Sequence, residues 1–169
     1  MPEITKKINI ASSVSEVWDV LASFESISDW ADNVSHSCLL SDQLKGVGTC
    51  RRIQSGNSSV TEHVTRWDEL RYLSYEIHGL PPVFKQVLNT WSLEPSEIGV
   101  QLSLTIEIIS IRRPVTPIAG LACLAFGRIN TGMLKDLKGF IEDEKPLMKL
   151  KRQISLLEQR IEELESRND

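Results

Sequence analysis

Residues 4–21 read ITKKINIASSVSEVWDVL and join a strand pattern directly to the start of a helix. Ile4, Ile8 and Ile10 alternate with polar residues, which predicts a strand with one buried face. Ser13 and Glu16 then have the spacing of a capping box, whose side chains bond free backbone N–H groups at a helix start. Apolar residues follow at helical spacing: Val14, Val17, Trp18 and Leu21. This stretch therefore predicts one strand followed by an amphipathic helix.

The rest of the chain continues with strands and ends in helices. A short second helix is expected at Ser26–Trp30. Between Val34 and Ile111, turn residues divide a strand-like pattern into about six strands. After Pro114 the pattern is helical. A sheet of about seven antiparallel strands needs a cover for its apolar face, and only the long helix can provide it. The prediction is an α+β fold in which a curved sheet wraps around that helix and leaves a ligand cavity between them.

Several segments resemble a known superfamily. The stretch from Ile8 to Leu21, followed by Trp30, is similar to the opening of the START-related, Bet v 1-like helix-grip proteins (SRPBCC). Further segments resemble the polyketide cyclase/dehydrase and lipid-transport branch: Gly46-Val-Gly-Thr-Cys-Arg51, Glu62, Leu73-Ser-Tyr-Glu-Ile77 and Gly79-Leu-Pro81. The resemblance covers roughly residues 4–143. It implies a helix-grip domain over residues 1–145 with a cavity for a hydrophobic ligand, in a family where many members carry no catalytic residues.

Composition excludes several classes of protein. The 169 residues carry 19 Lys plus Arg against 23 Asp plus Glu, a net charge of −4 that argues against nucleic-acid binding. The three cysteines are far apart in sequence, so we expect no disulfide framework and a reducing compartment, the cytoplasm. Met1–Lys7 lacks the apolar core of a signal peptide. Val115–Gly127 is too short to span a bilayer, so no stable membrane insertion is expected.

The predicted hairpin around Gly56-Asn57 brings two opposite charges together. Alternation with their apolar neighbours puts Arg51 and Glu62 on the inner face of their strands. If the hairpin is symmetric, the two residues lie directly opposite each other and attract. Two interpretations remain open. The charges form either a structural ion pair that neutralises itself, or a polar anchor for a carbonyl, hydroxyl or carboxylate of the ligand.

Five more side chains are candidates for ligand contact. Asn89 and Trp91 share the inner face of one strand, and Tyr75 lies on the inner face of another. Trp30 ends the second helix, near the expected opening of the fold. His36 is the histidine expected to point inward, although a lone histidine is more often a core residue. Large aromatic side chains are also core fillers more often than ligand contacts.

Residues 146–169 carry an unbroken heptad pattern. Isoleucine and leucine occupy position a and leucine occupies position d, a combination that favours parallel dimers. The aliphatic positions are Leu147, Leu150, Ile154, Leu157, Ile161 and Leu164. We therefore predict a homodimer through this helix, with Arg160 paired to Glu165 between chains. The alternative is a helix folded back on its own domain, since three heptads are few for an isolated coiled coil.

Three functions are compatible with these patterns. The favoured one is binding or transport of a hydrophobic small molecule such as a lipid, an isoprenoid or a polyketide-like compound. The second is a cyclase or dehydratase on a similar ligand, with His36, Arg51, Glu62 or Tyr75 as acid–base groups. The third is a dimeric interaction protein with a vestigial cavity. No cofactor and no metal site are expected, because the His, Cys, Asp and Glu spacings match no ligand set.

Overall fold

The structure is a computed structural model that describes residues 3–110 and 116–144, and residues 147, 150, 151, 154, 155, 157, 160 and 161. Seven antiparallel strands form one sheet in the order β1-β7-β6-β5-β4-β3-β2. The strands are β1 (Glu3–Ile10), β2 (His36–Leu39), β3 (Cys50–Ser55), β4 (Ser58–Asp68), β5 (Tyr72–His78), β6 (Phe84–Ser96) and β7 (Gly99–Ser110). The predicted α+β helix-grip fold is confirmed.

Two helical segments connect β1 to β2. Helix α1 (Val14–Ala22) begins with the predicted capping box: Ser13 Oγ accepts the Glu16 N–H at 3.2 Å, and the Glu16 carboxylate accepts the Ser13 N–H at 3.3 Å. The second helix is a 3₁₀ helix (Phe24–Asp29), shifted toward the N-terminus from the predicted range. Both segments bury apolar side chains at one end of the sheet.

Helix α2 (Thr116–Gly139) packs on β1 and β7 and ends in a π-helical turn (Phe140–Glu144). The helix buries Met133, Leu134 and Leu137, and the π-helical turn buries Ile141. Gly127 permits the close approach, because a Cβ atom there would lie 3.1 Å from Cγ2 of Ile4. In the described ranges, no helix combines the length and the apolar content needed to cross a bilayer.

The described residues of the C-terminal segment are helical and exposed. Their aliphatic side chains are 46–62% exposed: Leu147, Leu150, Ile154, Leu157 and Ile161. Leu164 and Glu165 lie outside the described residues. The part of the heptad that the structure describes is therefore not covered by the helix-grip domain.

Candidate ligand cavity

The β3–β4 hairpin has the register that its sequence predicts. Arg51 lies opposite Glu62, and Ile53 lies opposite Val60. Nε and Nη2 of Arg51 are each 2.6 Å from Oε2 of Glu62, and both side chains are buried. Nη1 of Arg51 donates to the backbone carbonyl of Phe24, and the guanidinium carbon lies 3.7 Å from the centre of the Phe24 ring. Arg51 is therefore bound on three sides by the protein itself.

A cavity of about 300 Å³ lies between the inner face of β3–β6 and helix α2. Its walls are mostly apolar, with Ile53, Val60 and Ile77 from the sheet and Phe126 and Met133 from the helix. Its rim includes exposed residues of the β3–β4 hairpin and of the loop before β2: Asn33, Ser55 and Ser58. The cavity is thus open to solvent beside the β3–β4 hairpin.

Polar groups converge on the deep wall of this cavity. Among the predicted site residues, Glu62, Tyr75 and Asn89 line it. The Tyr75 hydroxyl oxygen accepts N–H bonds from Asn89 Nδ2 at 3.4 Å and from Trp91 Nε1 at 3.3 Å. Burial, followed by the nearby Glu62 carboxylate, raises the pKa of Tyr75 to about 12. The hydroxyl is therefore protonated at neutral pH and acts as a hydrogen-bonding group.

Two amide side chains in the cavity wall leave one polar atom each without a partner. Asn89 on β6 is 5% exposed and Asn130 on α2 is 2% exposed. Asn89 Oδ1 and Asn130 Nδ2 have no hydrogen-bond partner. An unpaired buried polar group costs about 1–3 kcal/mol, and both residues line the cavity while their unpaired atoms are buried from solvent. Sequence reasoning missed Asn130, although a lone amide on the apolar stripe of α2 is a detectable signal.

The end of the fold beyond Tyr75 is filled. Trp30 and Trp91 pack edge to face with ring centres 6.0 Å apart. Together with Arg51 and Leu73 they line a void of only about 10 Å³, which is the space of a single water molecule. Neither tryptophan lines the 300 Å³ cavity. Trp91 and Arg51, predicted as ligand contacts, therefore lie in the packed core beside the cavity. Trp30, predicted with them, lies between this core and two open clefts of about 350 and 430 Å³.

The inward position predicted for His36 is wrong. His36 is the first residue of β2, pairs with Gln54 and is exposed on the outer face. The inner positions of β2 are Ser37 and Leu39, which pair with Ile53 and Arg51. The alternation of apolar and polar residues that begins at Val34 starts before the first residue of β2. The side of the chain on which Val34 lies therefore does not predict which face of the sheet His36 occupies.

The other two histidines lie on the outer face of the sheet. His63 Nε2 lies 3.4 Å from Cys50 Sγ, and the His63 and His78 rings meet edge to face at 4.7 Å. Burial raises the pKa of the Cys50 thiol, and the negative charge of Glu62 raises it further. No three His, Cys, Asp or Glu side chains in the described part of the chain are arranged to hold a metal ion.

A protein-family model places this architecture in a family. The model described as "Polyketide cyclase / dehydrase and lipid transport" matches residues 1–142. The chain belongs to this family. The matched residues include all seven strands and helix α2, and the C-terminal heptad lies outside them. A search of curated proteins found no match.

Solved structures with the same fold come from different kinds of protein. The Zhui aromatase/cyclase from Streptomyces sp. R1128 is 17% identical with a TM-score of 0.67, over 83% of this chain and 93% of that one. Ara h 8.0201 is 12% identical with a TM-score of 0.68, over 83% and 97%. The protein XoxI from Bacillus cereus is 20% identical with a TM-score of 0.69, over 86% and 99%. At these identities the similarity establishes the helix-grip fold of this family member.

Proposed function

We propose that this protein binds and carries a small hydrophobic molecule in the cavity between the sheet and helix α2. The observation that carries the proposal is the cavity of about 300 Å³ with apolar walls and a solvent-exposed rim. Small-molecule pockets of about 300–1,000 Å³ share this make-up, with few polar groups set in an apolar lining. The family description, which includes lipid transport, is consistent with this role.

The positions, contacts and pKa values of the acid–base candidates favour binding over catalysis. General acid–base chemistry needs a titratable group within hydrogen-bond reach of the reacting atom. His36 is exposed on the outer face, and Arg51 is engaged by Glu62 and Phe24. The raised pKa of Tyr75 makes it a poor proton donor or acceptor at neutral pH. A cyclase or dehydratase role would therefore need chemistry that His36, Arg51 and Tyr75 do not supply.

A neutral apolar fluorophore tests the proposal. N-phenylnaphthylamine should gain fluorescence with the unmodified protein and raise its melting temperature by mass action. Val60 lines the cavity, whereas its neighbour Thr61 pairs with Arg52 and His78 on the opposite face of β4. Val60→Phe should weaken binding about ten-fold or more by filling the cavity, and Thr61→Phe should not. Absence of binding to the unmodified protein, or equal loss in both variants, would contradict the proposal.

We also propose that the protein is a homodimer through its C-terminal heptad. Support comes from the exposure of Leu147, Leu150, Ile154, Leu157 and Ile161, whose side chains the helix-grip domain leaves uncovered. A contiguous apolar stripe of this kind is costly in water and is characteristic of an interface. Isoleucine at position a and leucine at position d match the geometry of a parallel two-stranded coiled coil.

Sedimentation of two matched variants tests the dimer. Leu157→Asp places a charge at a d position and should give a monomer that keeps its folded domain. Ser155→Asp adds the same charge at the exposed b position and should leave the dimer intact. An unchanged mass for Leu157→Asp would exclude the coiled coil as the dimer contact.

The cytoplasm is the compartment that we propose for this activity. Cys38 and Cys50 are unpaired, as is usual in a reducing environment. Fluorescence microscopy of the tagged protein in its native cell would test this, and a secreted product would overturn it.

A further inference from the structure

The two unpaired amide atoms of the cavity are complementary in their hydrogen bonding. Asn89 spends its amide N–H on the Tyr75 hydroxyl and leaves its carbonyl oxygen, an acceptor, unpaired. Asn130 leaves its amide nitrogen, a donor, unpaired. Asn89 belongs to the sheet wall and Asn130 to the helix wall of one cavity. Because both atoms are buried, a ligand between these walls reaches them when the two amide groups turn toward the cavity, and it can then donate to one side and accept from the other.

The charges around the cavity disfavour an ionic group at this point. Glu62 is the charged residue of the described lining, and its negative charge is balanced by Arg51. Arg51 itself is not in the lining, and its Nη1 donates to the Phe24 carbonyl. No lysine, arginine or histidine is among the described residues that line the cavity. A bound anion would therefore face a carboxylate in a medium of low dielectric constant without a free cation.

We infer that the ligand is an uncharged amphipathic molecule whose polar group, an alcohol or a primary amide, donates to Asn89 Oδ1 and accepts from Asn130 Nδ2. This rests on the proposed function and adds the class of the headgroup to it. The apolar body of the ligand lies against Ile77, Phe126 and Met133. Specificity of this kind is strong because a ligand without the matching groups leaves the buried amides unpaired.

A series of ligands with the same apolar chain tests the headgroup. Decanol, decanamide, methyl decanoate and decanoate would each displace N-phenylnaphthylamine at pH 8. Decanol and decanamide, which both donate and accept, should bind about ten-fold tighter than methyl decanoate, which only accepts, a difference of about 1.4 kcal/mol. Decanoate should bind more weakly than decanol.

Three leucine variants assign the preference to the two amides. Asn89→Leu and Asn130→Leu should each remove the preference for decanol over methyl decanoate while binding of the ester persists. Asn9→Leu makes the same change at an exposed position outside the cavity lining and should keep the preference. The melting temperature of unliganded Asn130→Leu should be equal to or above that of the unmodified protein, because an unpaired buried donor is removed.

The outcomes separate the two proposals. Equal binding of all four ligands would overturn the headgroup inference and leave the carrier function standing. Tightest binding of decanoate would overturn it in favour of charge recognition. Failure of every ligand and of the fluorophore would overturn the proposed function itself. Retention of the alcohol preference in both buried-amide variants would show that other groups recognise the headgroup.

Discussion

The two ends of the interior, on either side of Tyr75, differ in how completely they are filled. Toward α1 and the 3₁₀ helix, Trp30 and Trp91 leave a void of about 10 Å³. Toward α2, the same sheet face borders a cavity of about 300 Å³. The polar groups differ in the same way, because Arg51 is engaged by the protein whereas Asn89 keeps an unpaired oxygen. The filled end stabilises the fold, and the hollow end is the site that we propose for the ligand.

Breaking the Arg51–Glu62 ion pair, which lies between the two ends, should have the largest effect on the unfolding free energy. Arg51→Met leaves Glu62 as a buried unpaired charge, which costs about 3–5 kcal/mol of unfolding free energy. The double variant Arg51→Met/Glu62→Gln should lose less than the sum of the two single variants, because neither charge remains. Denaturant titration of all four proteins measures this. Strict additivity would mean that the two side chains are not coupled.

Truncation of two residues on the same face of β5 compares the two ends directly. Leu73 is fully buried at the filled end and pairs with Trp91, whereas Ile77 is half-buried in the cavity wall. Leu73→Ala should cost about 3 kcal/mol, and Ile77→Ala about 1–2 kcal/mol, because Ile77 has fewer contacts to lose. Urea unfolding of both variants gives the two values. Equal losses would show that the hollow end is as well packed as the other.

Alkaline titration should detect the burial of Tyr75 at the boundary. Its pKa is raised from an ordinary value of 10.0 to about 12, so the folded protein holds a proton that the unfolded chain releases above pH 10. The contribution of Tyr75 to the unfolding free energy is therefore fully present below pH 10 and is lost as the pH rises toward 12. At about 1.4 kcal/mol for each pKa unit, the loss is about 2–3 kcal/mol. Tyr75→Phe should lack this loss, measured by unfolding across that pH range. Parallel curves for both proteins would place the hydroxyl in a solvated environment.

Replacement of His36 should have the smallest effect. The side chain is exposed on the outer face of β2, away from both ends of the interior. His36→Ala should change the unfolding free energy by less than about 0.5 kcal/mol and leave fluorophore binding unchanged. Binding assays and denaturant melts test both points together. A marked loss of affinity would return His36 to the site.

Local sequence signals were sufficient where neighbouring residues decide the structure. The turn at Gly56-Asn57 joins adjacent strands, so counting outward from it predicted the Arg51–Glu62 register. The cap at Ser13 likewise depends only on residues within one helical turn. These contacts form between segments that are close in sequence, and their geometry leaves few alternatives.

Candidate ligand residues were harder to predict, because the alternation of residues along a strand gives the face on which a side chain lies but not its position along the sheet. Asn89 and Trp91 share one face of β6, yet only Asn89 lines the cavity. The difference arises because Trp91 packs against Trp30, which a distant part of the chain supplies. The inward prediction for His36 was wrong because irregular residues precede β2 and break the alternation.

The sequence by itself determined the order of elements, the register of the β3–β4 hairpin and the buried face of β3 and β4, since each follows from periodicity and turn chemistry over a few residues. Tertiary structure alone decided where the interior is hollow. That depends on how far α2 stands from the sheet along its length, with close approach to β1 at Gly127. It also decided that Asn130 and Asn89, which are 41 positions apart in the chain, line one cavity. Packing between distant segments sets these positions, and no local pattern encodes it.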